Sequence, residues 1–346
     1  MAKKNGITLY DVAQHVGFSK STVAYVMSGK AGDVGVAQKT IEKIKAAAEE
    51  LGYVPNYWAS SLARQSTGMI SVLLSGLSGD WADRVVYSLS QTLRLKAYTS
   101  FLAADWDDPL IFEKEISSAI RRRDEGVICH SFMGDVQQYS KIIKSGIPLV
   151  FLGDVPCSLS GMTEINSVVW DDEQAVKTAV EHLVDTGRRK IAFIGADHGV
   201  ISDHRRFSAY ERSMEEAGLE LRKNWMFWLK QKSFSDTTTR ETLELLFAPG
   251  KEKPDALFAL NDMIALNILN LADKVGIKIP DDVALIGMGD LPITKLIGLS
   301  TMREPLGELG EAAAQMVLEL IEDPTKTPLH RDIVCNELMI RKTTGG

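Results

Sequence analysis

A chain of 346 residues, 45% hydrophobic and 25% charged, is long for one core and has the balance of an ordinary globular protein of two or three domains. No stretch reaches the roughly 18 apolar residues of a membrane span, and the start MAKKNGITL has charges with no apolar run behind them; a cytoplasmic protein with no membrane partner is expected. The net charge of −7 is uneven: residues 1–67 carry seven Lys and one Arg against five acids, a net +3, while the remainder carries 31 bases against 41 acids, so only the front of the chain suits a polyanion.

Residues 7–29, ITLYDVAQHVGFSKSTVAYVMSG, read as two short helices joined by a glycine turn. Thr8 caps the first, with Asp11 three residues on, where the helix dipole favours a carboxylate. Leu9, Val12, Ala13 and Val16 share a stripe, Gly17 supplies a left-handed exit, and Ser19 caps a second helix whose Val23, Val26 and Met27 face the first. Lys20, Ser21 and Tyr25 point away. In a helix-turn-helix, that outer face of the second helix meets base edges in the major groove. Residues 38–52 make a third helix through Ile41, Ile44, Ala48 and Leu51, stopped by Gly52; Ala37 offers no side-chain cap, a loss of about 1 kcal/mol. Residues 53–67, YVPNYWASSLARQST, form a connector in which Asn56 can cap a short helix too brief to persist alone.

From residue 68 short apolar runs alternate with helix-length segments. Strands are expected at 69–75, 98–104, 126–131, 147–153, 190–196, 225–230, 255–260 and 283–288, and helices at 82–95, 111–123, 172–186, 205–217, 236–247 and 262–275. This rhythm means parallel sheets covered on both faces, here two of them with a switch near residue 168. Ligands in such folds sit at the carboxyl ends of strands, which selects Asp80, Trp81, Asp154, Trp170, Asp171, Arg206, Asn261, Asp262 and Asp290. Rings beside carboxylates, amides and a guanidinium suit a sugar, a sugar phosphate or a nucleoside.

Enzymatic chemistry finds little support. Cys129 and His130 are adjacent on a strand and point to opposite faces; His198 and His204 lack an evident third metal ligand; no GxGxxG or phosphate loop is present. Cys129, Cys157 and Cys335 lack CxxC spacing and are expected as buried thiols, and the RRR at 121–123 as a helix end. No cofactor and no metal are expected.

The run TLYDVA, the SxxTV opening of the second helix, the run KTIEKIKAAAEELGYVPN and the ending RKTTGG together resemble the LacI/GalR family of transcription repressors over nearly the whole chain. The resemblance implies an α/β fold: an all-α helix-turn-helix headpiece (1–54), a hinge helix or linker (55–67), and a two-lobed periplasmic-binding-protein-like body of parallel sheets. Its lobes would be 68–168 with 298–328, and 169–297 with 329–346. It implies a homodimeric regulator on a double-stranded, pseudo-palindromic DNA operator, with a small-molecule effector in the interlobe cleft. Thr8, Lys20, Ser21, Thr22, Tyr25 and Asn56 are the expected DNA contacts, and Leu62 stands where the family inserts a leucine into the minor groove. Arg206 and Asn261 match effector-binding positions.

Three departures bear on specificity: Ala24 and Tyr25 replace a frequent Ser and Arg, and Gly289 in GMGD replaces the first acid of a G-aromatic-D-D pattern. Losing that carboxylate removes a charge-assisted bond of about 1.5 to 3 kcal/mol to a ligand that used it. The alternatives are a small-molecule binding protein, or a sugar-converting enzyme with an appended DNA-binding domain.

Overall fold

The computed structural model describes residues 6–32, 34–57, 61, 66–77, 80–130, 134–153, 155–159, 165–197, 201–230, 236–326, 328–335 and 337–345. The chain separates into two compact units, Met1–Gly68 and Met69–Gly346.

In the first unit, α1 (Leu9–Val16), α2 (Lys20–Met27) and α3 (Gln38–Glu50) enclose Val12, Val16, Val23, Val26 and Ile44. The expected stripes are the ones buried. Ala37 precedes α3 without a side-chain cap, as its methyl dictates.

The second unit contains two six-stranded sheets. In chain order its elements are β1 (Met69–Leu74), α4 (Asp80–Leu95), β2 (Thr99–Ala104), α5 (Pro109–Arg122), β3 (Gly126–His130), α6 (Val136–Lys144), β4 (Leu149–Gly153) and β5 (Asn166–Trp170). The chain continues through α7 (Asp172–Asp185), β6 (Ile191–Asp197), α8 (Ile201–Glu216), β7 (Met226–Lys230), α9 (Asp236–Leu246), β8 (Ala256–Ala259), α10 (Asp262–Ala272) and β9 (Ala284–Gly289). It ends with α11 (Pro292–Ile297), β10 (Ser300–Arg303), α12 (Leu306–Glu322), β11 (His330–Ile333) and β12 (Leu338–Met339). The first sheet has the order β11-β5-β4-β3-β1-β2 and the second β12-β10-β9-β8-β6-β7. Every pairing is parallel except β10 with β12. Strands β5 and β8 are buried throughout, the near-continuous apolar burial of a sheet covered on both faces.

Sheet membership moves the expected lobe boundaries. Strand β5 runs to Trp170 in the first sheet, so the first crossover follows residue 170 and not 168. Strand β10 pairs with β9 and belongs to the second sheet, so the chain returns to the first lobe near Glu304, not 298. Strand β11 pairs with β5, which places the last crossover after Ile333, not after 328. Each shift has one cause: a short strand of four or five residues carries too little pattern to declare its sheet.

Candidate DNA-reading surface and ligand cleft

In the headpiece the Thr8 hydroxyl donates to Asp11 Oδ2 at 2.7 Å, and the Asp11 amide donates back to Thr8 Oγ1 at 3.4 Å. The Thr8 hydroxyl, and with it the Thr8 amide at 2.8 Å from Oδ2, hold the Asp11 carboxyl below its ordinary pKa. Gly17 leaves α1 at φ 76°, the left-handed turn that sends α2 across it. Ser19 Oγ accepts the Thr22 amide at 3.1 Å and lies 2.8 Å from the Thr22 hydroxyl. Thr22 is therefore half-buried in the cap, whereas Lys20, Ser21 and Tyr25 are exposed. Thr8, Lys20, Ala24 and Asn56 line one open groove beside them. Leu62 lies outside the described residues.

In the body the expected effector residues divide. Arg206 sits in the second turn of α8, because that helix begins at Ile201, four residues before the expected start. Its Nε donates to Asp172 Oδ1 at 2.7 Å and its Nη1 to the Leu260 carbonyl at 3.3 Å. The guanidinium carbon lies 5.4 Å from the Trp170 ring centre. Asp172, 1% exposed, is bonded as well by Arg205, whose Nη2 also reaches the Trp170 carbonyl at 2.9 Å. Asn261 caps α10 by accepting the Ile264 amide at 3.0 Å and follows the carbonyl that holds Arg206. On the opposite lobe Trp81 stacks on His130, with ring centres 3.9 Å apart at 26°. His130 Nδ1 donates to the Leu152 carbonyl at 2.7 Å, and burial lowers the imidazole pKa to about 4, so it is neutral near pH 7. The lobes touch where the Ile201 amide donates to the Val155 carbonyl at 3.1 Å.

Two expected ligand contacts are committed elsewhere. Trp170 is fully buried with its indole N–H on the Cys335 carbonyl at 3.3 Å, so it is a crossover tie and not a ligand platform. Asp290 Oδ1 takes Arg341 Nη2 at 2.6 Å and the Thr294 hydroxyl at 3.3 Å. The carboxylate that sequence position assigns to the cleft thus anchors the RKTTGG ending. Asp80 opens α4, with its side chain outside the described atoms, and Asp154 lies outside the described residues.

Asp262, selected by its place after β8, is the most constrained carboxylate of the group, and its partners come from segments distant in sequence. Asp262, 1% exposed, accepts the Thr301 hydroxyl at 2.6 Å and the Leu291 amide at 3.0 Å. Burial first, and then the nearby Asp290 charge, raise its pKa to about 6 against these bonds. Gly289 borders it at φ 138°, and a side chain there would begin 3.1 Å from Asp262 Oδ2. A side chain at position 289 would therefore crowd the Asp262 carboxylate as well as strain the backbone. Asp172 was not among the expected residues, although an adjacent arginine pair near a helix start signals that a counter-charge lies near.

Other expectations meet plain outcomes. Cys129 is buried against Tyr139 while His130 stacks on Trp81, so the two side chains do not meet. Cys335 is buried and Cys157 only half-buried, short of the expected burial. Arg122 pairs with Asp124 at 2.7 Å and Arg123 closes α5 in the left-handed conformation, a helix end as expected. Among the described residues no helix is long and apolar enough to cross a membrane.

Residues 8–56 match the model of bacterial regulatory proteins of the lacI family, and residues 180–344 match a periplasmic binding protein-like domain. The HTH-type transcriptional repressor PurR of Mannheimia succiniciproducens is 24% identical, covering 97% of this chain and 98% of that protein. Catabolite control protein A of Priestia megaterium is 25% identical over 92% of this chain and 94% of its own length. The lac repressor dimer, solved with operator and the anti-inducer ONPF, superposes with a TM-score of 0.83 at 23% identity, covering 98% of this chain and 99% of that one. With a capped helix-turn-helix at its front and two crossed parallel sheets behind, the chain belongs to the lacI family of DNA-binding transcriptional regulators.

Proposed function

We propose that the protein represses transcription in the cytoplasm as a homodimer. It binds a pseudo-palindromic operator through paired headpieces and releases or tightens that grip when a small ligand enters the interlobe cleft. The observation that carries this reading is the exposed Lys20, Ser21 and Tyr25 face of α2 on the basic part of an otherwise acidic chain. Lys20 suits guanine N7 and O6. Leu62 is the proposed minor-groove wedge.

In the cleft, Arg206 and Asn261 form the polar floor and the Trp81–His130 stack the apolar wall, a pairing suited to a sugar, a sugar phosphate or a nucleoside. Trp170 and Asp290 drop out, being committed to Cys335 and Arg341. A ligand changes operator affinity only by binding two lobe arrangements unequally. We read the body as a sensor without turnover.

The test is a selection from a randomised dyad-symmetric DNA library with the full chain, followed by a thermal-shift screen of sugars, sugar phosphates and nucleosides. A selected site whose affinity changes with a stabilising ligand is the expected result. No preference over bulk genomic DNA, with or without such ligands, sinks the regulator reading. Turnover of a screened compound by the purified protein would reinstate the enzyme.

A further inference from the structure

Helix α2 turns about 100° per residue, so the buried Val23 and Val26 fix what its outer face carries: Ser21 and Ser28 at the centre, Lys20 and Ala24 on one flank, Tyr25 on the other. Among the described residues of α2 and its two caps, Lys20 is the sole cation, and no guanidinium or side-chain amide is present. Such forked groups are what read guanine and adenine by paired hydrogen bonds. The Ser28 hydroxyl already donates to the Tyr25 carbonyl at 3.2 Å. Beside Lys20 and the exposed Ser21 hydroxyl, the face carries the Ala24 methyl, half-buried in the open groove, and the Tyr25 ring, 43% exposed one turn beyond Ser21. A face short of forked donors but carrying a methyl and a ring discriminates by apolar contact, and thymine is the base whose major-groove edge carries a methyl group.

We propose that Tyr25, flanked by Ala24, determines specificity by packing on a thymine methyl in each half-site. The inference rests on the proposed docking of α2 in the major groove.

The experiment uses the full chain and the operator it selects. Each thymidine of the half-site is replaced in turn by deoxyuridine, which pairs identically and lacks only the methyl, and affinity is measured by fluorescence anisotropy at fixed salt. Losing one buried methyl-sized group costs about fourfold per half-site, hence about fifteenfold when both half-sites are changed. The loss is expected at one or two thymidines with the wild type and with Tyr25→Phe, and is expected to vanish with Tyr25→Ser. A repeated selection with Tyr25→Arg should move that position to guanine. Equal losses in the wild type and Tyr25→Ser, or a site indifferent to every uracil, overturns the inference alone. If Tyr25→Ser fails to fold, as read from headpiece helicity, the wild-type uracil scan and the Tyr25→Arg selection still decide. A library yielding no dyad-symmetric site overturns the docking reading together with the inference.

Discussion

Asp262→Asn should change how the body's stability depends on pH, and the size follows from the structure. The carboxyl titrates near 6 in the folded protein against an ordinary 3.8, because it is 1% exposed and faces Asp290. A raised acid pKa means that the folded state holds the proton more tightly than the unfolded state. Stability is therefore highest below pH 3.8, falls as pH rises toward 6, and stays at its lower value above that. A separation of about 2 pH units corresponds to about 3 kcal/mol at neutral pH. Asparagine keeps an oxygen for the Leu291 amide and an amide group for the Thr301 hydroxyl, which can turn to accept, and it never ionises.

The assay is guanidinium unfolding followed by tryptophan fluorescence, since Trp81, Trp106, Trp170, Trp225 and Trp228 all lie in the second unit. Other carboxyls titrate in the opposite sense; Arg222 and Lys190, for example, hold Glu252 near 2, so only the difference between variant and wild type isolates Asp262. That difference should move in favour of Asn by about 3 kcal/mol between pH 3.5 and pH 7. A difference that stays flat over this range would refute the reasoning, whatever its absolute value.

Gly289→Asp, which restores the family acid, should not create a ligand contact. It should instead cost about 1 to 3 kcal/mol by denaturation, because φ 138° suits glycine and the new Cβ meets Asp262 Oδ2 at 3.1 Å. Arg341→Ala should cost about 3 kcal/mol, since it strands the part-buried Asp290 and releases the Leu299 carbonyl and the Thr294 hydroxyl, and Asp290→Ala in the same background should cost little more. Ser19→Ala should lower headpiece stability by about 1 kcal/mol, read as a thermal midpoint, without altering the selected bases; altered base preference would make Ser19 a reader and not a cap.

Legibility followed the range of the interactions involved. The headpiece was readable because each signal is local: Thr8 and Asp11 are three residues apart, Gly17 turns by its own backbone, and Val12, Val16, Val23 and Val26 lie on two consecutive helices. The parallel sheets were readable for the same reason, as their central strands are long apolar runs. Strands β10, β11 and β12 escaped notice because two to four residues carry no usable period, and helices α6, α11 and α12 were not among the expected segments either. The cleft was half-legible. Position after a strand selected Asn261 and Asp290, and a helix start selected Arg206, but position does not say which partner a side chain has already taken.

That partner choice is settled by the crossovers, where segments far apart in sequence meet. Trp170 at the first crossover binds Cys335 at the last, and Arg205 joins the Trp170 carbonyl to Asp172 beside Arg206. At the next, Arg303 pairs with Glu337 and Glu308. A buried ring or charge at such a joint must be satisfied within the protein, because a ligand that comes and goes cannot supply a permanent partner. Polar groups that stay answerable to a ligand therefore belong one step away from the joint, which is where Arg206 and Asn261 stand, while Trp170 sits on it and Asp290 is taken by Arg341 within the second lobe. The ending RKTTGG obeys the same logic: Arg341 satisfies Asp290, Thr343 donates to the Leu285 carbonyl at 2.7 Å, and Thr344 meets Ser300 at 2.8 Å. A motif that marks the family in sequence thus acts in the fold as the clasp of the second lobe.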